Sequence, residues 1–311
     1  SQTSMKNFQP EEVIVERSSL GSPIYRNLRQ SLAHVPFTIV DEIASASSGA
    51  PRDHFGAAKR KLFLAEHKGE FFKKCPGSDG QVCCNYFVIN FASNCPMDCS
   101  YCYLQEYLAD NSALKVFSNI GDLIDEADAT LKKHRGVFFR IGTGEITDSL
   151  ALEPYTGMVR EILPYFAEQP NVLLELKTKS DCVDSLLDLD PKGRVVVGWS
   201  MNPQRVIDAD EHATASLTER LHAARRVQEA GYRLGFHFDP MIEYPGWEVD
   251  YRAMLEQPFA PIAWRKLSWV SLGVLRDTPG LKRTMRERFP RSQRFVVTER
   301  DTLYLSPVHF T

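Results

Sequence analysis

Six short apolar runs, rich in β-branched and aromatic residues, recur after residue 85: Tyr86–Phe91, Val137–Ile141, Val172–Lys177, Val195–Ser200, Leu234–Asp239 and Ser268–Gly273. Helical patterns separate them, at Ile120–His134, Tyr155–Phe166, a short piece near 182–188, Thr214–Ala230 and 249–256. The clearest is Thr214–Ala230, where Leu217, Leu221, Ala224 and Val227 recur at three- and four-residue steps and Gly231 follows as a stop signal. Strands alternating with helices give repeated βαβ units, and so a parallel sheet with right-handed crossovers. A doubly wound sheet and a partial barrel both satisfy this pattern.

The choice between them comes from Cys95, Cys99 and Cys102, a C-x3-C-x2-C run just beyond the first strand pattern. Three thiolates on a short loop can hold three irons of a 4Fe-4S cluster and leave the fourth iron open to an outside ligand. Structural zinc wants four tetrahedral ligands, and no C-x2-C pair stands at finger spacing downstream. A disulfide framework suits neither an odd total of seven cysteines nor a chain without a secretory pattern. Ferredoxin runs have a different spacing of four cysteines. In barrels of βα units, chemistry sits at the C-terminal ends of the strands. The later strand patterns all carry polar residues there: Gly142–Glu145, Thr178–Ser180, Ser200–Asn202, His237 with Asp239, and Arg276-Asp277. A barrel would bring these to one mouth facing the cysteines, whereas a flat sheet would scatter most of them. The expected fold is therefore α/β, a partial (β/α)6 barrel over 85–280, with an N-terminal extension over 1–84 packed on it and a short basic C-terminal segment over 281–311.

A length of 311 residues suits one large barrel or two ordinary domains. The first 70 or so residues are polar and mixed in charge, with helical patches expected near 24–33 and 55–68. No apolar run reaches the length of a membrane span, so no membrane partner is expected. A net charge of −3 gives no global basic field for nucleic acid. Reduced, metal-binding cysteines fit a cytoplasmic location, and a monomer is expected.

Several side chains are candidates for chemistry. Gly142, Thr143, Gly144 and Glu145 follow a strand, where glycines admit a ligand to the backbone and a carboxylate can bind an ammonium group; an ordinary βα turn is the rival reading. Lys179, beyond the third strand, suits a carboxylate ligand, and Ser200 and Asn202 suit a ribose; surface or turn residues are the rivals. His237 and Asp239 alternate on a strand and so share one face, directed at substrate if that face is the lumen. Tyr101 and Tyr103 flank Cys102 and could shield a cluster, pack on adenine or relay a hydrogen atom. Cys75, Cys83 and Cys84 lie just upstream as a second metal site, a hydrogen source or packing thiols, and Cys182 reads as structural. Lys282, Arg283, Arg286, Arg288, Arg291 and Arg294, against Glu287 alone, form a local basic run that either contacts phosphates or is a solvated helix face.

The run from Cys95 to Gln105, with Arg140–Asp148, Leu173–Ser180 and Gly198–Asn202, resembles the spore photoproduct lyase family of radical S-adenosylmethionine (SAM) enzymes over roughly residues 75–280. The resemblance implies that SAM is cleaved reductively at a 4Fe-4S cluster to a 5′-deoxyadenosyl radical. In these lyases the radical attacks a methylene-bridged thymine dimer in DNA and two thymines are restored. It implies Cys95, Cys99 and Cys102 as cluster ligands, Lys179 at the SAM carboxylate, Thr147 and Ser200 near SAM, and Tyr103 in hydrogen transfer. It also implies a reducing electron donor such as flavodoxin or ferredoxin.

One departure matters. The family's hydrogen-donor cysteine falls at Glu145, and a carboxylate cannot quench a carbon radical as a thiol does. Another donor, Tyr103 or one of Cys75, Cys83 and Cys84, or a different substrate, would have to answer for it. The alternatives are thus a radical SAM enzyme acting on another nucleoside, nucleic acid or small metabolite, and a non-catalytic metal-binding module associated with DNA. The tail over 295–297 and 302–305 suits a short hairpin of the kind the lyases use on their lesion.

Overall fold

The computed structural model describes residues 8–43, 54–75, 86–256, 259, 262–275, 278–290 and 292. Cys83, Cys84, Arg276, Asp277, Arg291, Arg294 and the expected tail hairpin lie outside the described residues.

The chain opens with β1 (Glu12–Glu16), α1 (Pro23–Ser31), β2 (Phe37–Val40), α2 (His54–Ala58), β3 (Lys61–Ala65) and β4 (Phe72–Lys74). Next come β5 (Tyr86–Ile89), β6 (Ala92–Ser93), β7 (Asp98–Cys99), α3 (Leu104–Tyr107), β8 (Leu114–Phe117) and α4 (Ile120–Lys133). Then follow β9 (Phe139–Gly142), α5 (Glu153–Thr156), α6 (Met158–Glu168), β10 (Val172–Thr178), β11 (Val195–Ser200), α7 (Gln204–Asp210) and β12 (Glu211–His212). The last elements are α8 (Leu217–Glu229), β13 (Arg233–Met241), α9 (Trp247–Glu256), β14 (Leu267–Val274) and α10 (Pro279–Arg288).

The strands β5, β9, β10, β11, β13 and β14 lie side by side in chain order and pair in parallel, with β4 antiparallel on the β5 edge. These six are the strands the apolar runs foretell. Their order never reverses, as a doubly wound sheet would require. The sheet curves without closing. Trp269 of β14 reaches the guanidinium of Arg140 on β9, with the charge 4.7 Å from the ring centroid. In a flat sheet those strands would be roughly 19 Å apart, four spacings of about 4.8 Å. The partial barrel is thus the observed architecture.

Each strand of the arc turns alternate residues inward. The lumen face carries Tyr86, Arg140 with Gly142, Glu175 with Lys177, Gly198 with Ser200, Gly235 with His237 and Asp239, and Trp269 with Ser271 and Gly273, as the parallel register requires. The outer face is apolar: Ile141, Leu174, Leu176, Val195, Val197, Trp199, Leu234 and Phe236 are at most 1% exposed. Helix α8 covers part of it. Its start is fixed by a capping box, in which Ser216 accepts from the Glu219 amide while Glu219 accepts from the Ser216 amide.

The N-terminal region corrects an expectation. Residues 55–68 do not form one helix; α2 ends at Ala58 and β3 begins at Lys61. β3 is central in a second sheet, of order β2-β1-β3-β8-β6. Leu62, Phe63, Leu64 and Ala65 are all buried, so the run lacks the alternation that marks a half-exposed strand. This sheet is completed by Ala92–Ser93 and Leu114–Phe117, on either side of the cysteine loop. Both sheets share one hydrophobic cluster, running from Val13 to Ile262. The cysteine loop is therefore held at both ends by the second sheet.

Candidate active site

The loop of Cys95, Cys99 and Cys102 is tied down residue by residue. Asn94 takes a left-handed φ of 68°, donates to the Ser112 carbonyl at 2.6 Å and accepts from the Cys95 amide at 2.7 Å. β7, which contains Cys99, pairs antiparallel with β12, placing Cys99 opposite Glu211. The Ser100 amide donates to the Asp210 carbonyl and its hydroxyl to the Asp210 carboxylate, both within 2.9 Å. Gln105 donates to the Ser100 and Cys102 carbonyls at 2.8 and 3.1 Å. Buried Lys59 donates to the Met97 carbonyl and to Asp98. From α10, Arg288 forks onto both oxygens of Asp98 at 3.0 Å and also donates to Gln105.

All three thiols are unpaired. Burial pushes Cys95 up to about 12, with Asp148 adding to it and Lys59 opposing it. Burial raises Cys99 and Cys102 as well, opposed by Lys179 at Cys99 and by Lys59 and Lys179 at Cys102. Without metal the thiols therefore hold their protons, and metal must displace them. Among the described residues, no three His, Cys, Asp or Glu side chains gather as ligands of one metal ion. The thiols reach one another electrostatically. Three thiols on one loop suit a cluster, whose cysteines each bind a separate iron.

Behind the loop lies a fully buried ion pair that the sequence reading missed. Glu211 and Arg220 are each 0% exposed at their side chains. Glu211 also accepts from Asn202 at 2.8 Å and from the Tyr101 hydroxyl. Tyr251 donates to the other end of the Asn202 amide, so both ends of Asn202 have protein partners. The Lys179 ammonium sits 5.6 Å from the Tyr101 ring centroid. Burial works against its charge, but the Glu211 carboxylate outweighs that and holds Lys179 above its ordinary value. A fixed cation thus faces Cys99 and Cys102 from the end of β10. Only the isolated charges at Glu211 and Arg220 hinted at this network in the sequence.

The β9 turn is more constrained than a ligand-cradling loop. Gly142 leaves room for protein: a Cβ there would stand 1.8 Å from the Tyr86 hydroxyl. At Gly144 a Cβ would meet Lys177 at 3.1 Å and the Ser149 hydroxyl at 3.3 Å. The Thr143 hydroxyl donates to Ser149 at 2.7 Å. Asp148, absent from the expected set, accepts from the amides of Leu150, Ala151 and Lys179 and from the Thr178 hydroxyl, joining this turn to β10. The Thr147 hydroxyl and the Asn90 carbonyl oxygen are buried without a hydrogen-bond partner. Such atoms mark where an added ligand can be accepted. Glu145 accepts from Asn90 at 3.0 Å, lies 3.7 Å from the Lys73 ammonium, and receives the Tyr103 hydroxyl on its backbone carbonyl.

His237 and Asp239 do share the lumen face, but His237 is paired elsewhere. It meets Glu175 at 2.6 Å and Ser271 at 2.6 Å. Glu175 also accepts from Tyr86 at 2.6 Å. Gly198 opens the space between them, since a Cβ there would meet Glu175 at 2.9 Å and His237 at 3.0 Å. Burial and Lys177 pull His237 below its ordinary value, which favours a neutral ring at neutral pH. Asp239 sits against Gly273, where a Cβ would come within 2.6 Å. β13 continues through Asp239 to Met241, so Asp239-Pro240 opens no turn.

The spore photoproduct lyase profile matches residues 8–303. The chain belongs to the spore photoproduct lyase family. Spore photoproduct lyase of Bacillus subtilis (strain 168) is 25% identical over 294 residues, covering 92% of this chain and 84% of that protein. Spore photoproduct lyase of Geobacillus sp. (strain Y412MC61) is 25% identical over 297 residues, covering 93% and 85%. A solved spore photoproduct lyase variant with bound AdoMet and dinucleoside spore photoproduct superposes with a TM-score of 0.82 at 23% identity, covering 97% of this chain and 90% of that one. The likeness to the spore photoproduct lyase structure confirms the fold across both sheets. Among the described residues, no helix is long and apolar enough to cross a membrane.

Proposed function

We propose that this chain is a radical SAM enzyme that restores thymines from a methylene-bridged thymine dimer in DNA. One observation carries the reading: three unpaired thiols on a loop held at both ends by the second sheet, facing Lys179 at the end of a parallel arc. Family membership supplies the reaction class.

In this reading Cys95, Cys99 and Cys102 hold a 4Fe-4S cluster, and Lys179 holds the SAM carboxylate. A cluster and SAM bound there supply a 5′-deoxyadenosyl radical, given an electron from a donor such as flavodoxin or ferredoxin. The unpartnered Thr147 hydroxyl and the lumen-facing Ser200 serve SAM, while Tyr101 and Asn202 fix Glu211 and thereby Lys179. Gly142, Thr143 and Gly144 shape the turn. Tyr103 rests its hydroxyl on Glu145 and so stands beside the position where the family carries its hydrogen donor. His237 and Asp239 line the lumen that receives the substrate.

Reconstitution with iron and sulfide without oxygen, followed by SAM, dithionite and an oligonucleotide bearing the bridged dimer, tests this. Recovery of thymine together with 5′-deoxyadenosine exchange is expected. Absence of both sinks the repair reading.

A second reading, favoured by Glu145 alone, is a radical SAM enzyme acting on another nucleoside, nucleic acid or metabolite. Lys73 and Asn90 hold the Glu145 carboxylate, so it is built in and suited to binding a substrate donor group. Formation of 5′-deoxyadenosine without thymine recovery, unchanged in Glu145→Cys, would favour this second reading.

A further inference from the structure

The arc does not close, and Arg140 stands at the seam. Its guanidinium lies between two rings from opposite ends of the arc: Tyr86 on β5, 5.5 Å from charge to centroid, and Trp269 on β14, 4.7 Å. Both rings are fixed. Tyr86 donates to Glu175 at 2.6 Å, and the Trp269 ring packs edge-on against His237, 6.5 Å between centroids. Glycines make space for each, since a Cβ on Gly142 would collide with Tyr86 and one on Gly235 would stand 2.6 Å from the Trp269 nitrogen. Rings on a guanidinium hold it by its faces and leave its edge donors free. Arg140 Nε is buried with no acceptor, and among the described residues no carboxylate pairs with the group. Glu175, the nearest lumen carboxylate by register, is taken by Tyr86 and His237.

The stacked guanidinium is half-buried, with its Nε buried and unpartnered, so its edge is open to an anion. Its fork matches two oxygens of a phosphate. Among the described residues no strand pairs with the outer side of β14, which is the sheet edge and half-buried along most of its length. We infer that Arg140 reads a phosphodiester of a nucleic-acid strand that enters the lumen through this seam. The phosphate between the two sugars of the dimer is the one so held. This rests on the nucleic-acid reading given above and adds a backbone subsite to it.

The test uses the reconstituted full chain and two single-stranded oligonucleotides carrying the bridged dimer. One has the natural phosphodiester at the dimer, the other a neutral methylphosphonate. Fluorescence anisotropy gives Kd for each, and product analysis gives thymine recovery. The wild type should bind the phosphodiester about tenfold or more tightly. Arg140→Gln should bind both alike, and its log Kd against log salt slope should fall by about 0.7, one single-strand phosphate contact. Arg140→Lys, which keeps the charge and loses the fork, should fall between and serves if the glutamine variant is unstable. Equal binding of both oligonucleotides by the wild type, or undiminished discrimination in the folded variants, would overturn the inference. Thymine recovery without discrimination would remove the phosphate subsite and leave the repair reading standing. Discrimination without thymine recovery would do the reverse.

Discussion

Glu211→Gln probes the element on which the cysteine loop leans. The wild-type carboxylate meets Arg220, Tyr101 and Asn202 in a site with no solvent exposure. Burial alone would raise its carboxyl above 4.5, but Arg220, Lys179 and the hydrogen bonds outweigh it and bring the value to about 2. A drop of that size corresponds to about 3 kcal/mol of folding stability. Removing one member of a buried ion pair typically costs about 3–5 kcal/mol, which is the same range by a separate route. The variant should therefore be about 3 kcal/mol less stable at pH 7 in urea unfolding, or roughly 4–5 °C lower in Tm. The folded value lies below the unfolded one, so the contribution is complete well above pH 4.5 and is lost as pH falls toward about 2. The gap between wild type and variant should narrow by about 1 kcal/mol by pH 3.5. Because the Glu211 backbone pairs with Cys99, iron bound per chain should drop as well. A gap below about 1 kcal/mol at pH 7, or one that does not shrink on acidification, would refute the reasoning.

Cys99→Ala should abolish cluster and turnover together, read as iron content and 5′-deoxyadenosine; retained turnover would contradict the ligand assignment. Gly142→Ala should lower stability by about 1–3 kcal/mol through overpacking against Tyr86, and an unchanged urea midpoint would show that Tyr86 does not occupy that space. Arg288→Met keeps the packing of α10 but loses the fork on Asp98, so iron should leach faster during gel filtration at a stability cost of about 1 kcal/mol, since Asp98 is partly solvated. Leaching at the wild-type rate would free the loop of that anchor.

Legibility varied with the range of the interaction concerned. The six arc strands and helices α4, α8 and α9 were readable because their periodicity is local. β3 was not, because burial on both faces erased its alternation. Lys179 and the cysteines stood out as residue types at strand ends. Glu211, Arg220 and Lys59 did not, and Arg288, legible only as one of a basic run, turned out to be buried on Asp98, because each reaches the loop from a distant part of the chain. Gly142 was legible as a special position but not for its reason, which is Tyr86, some fifty residues earlier in the chain.

By itself the sequence determined the order of the strands, the three thiols and their spacing, and so the kind of group the chain can hold. Local periodicity and ligand count suffice for that. Only the tertiary structure decided that the arc curves, that Asn202 and His237 are already paired, and that among the described residues no carboxylate pairs with Arg140. Those outcomes depend on which side chains meet across the lumen. That is set by strand curvature and register, which bring together residues that no spacing along the chain relates.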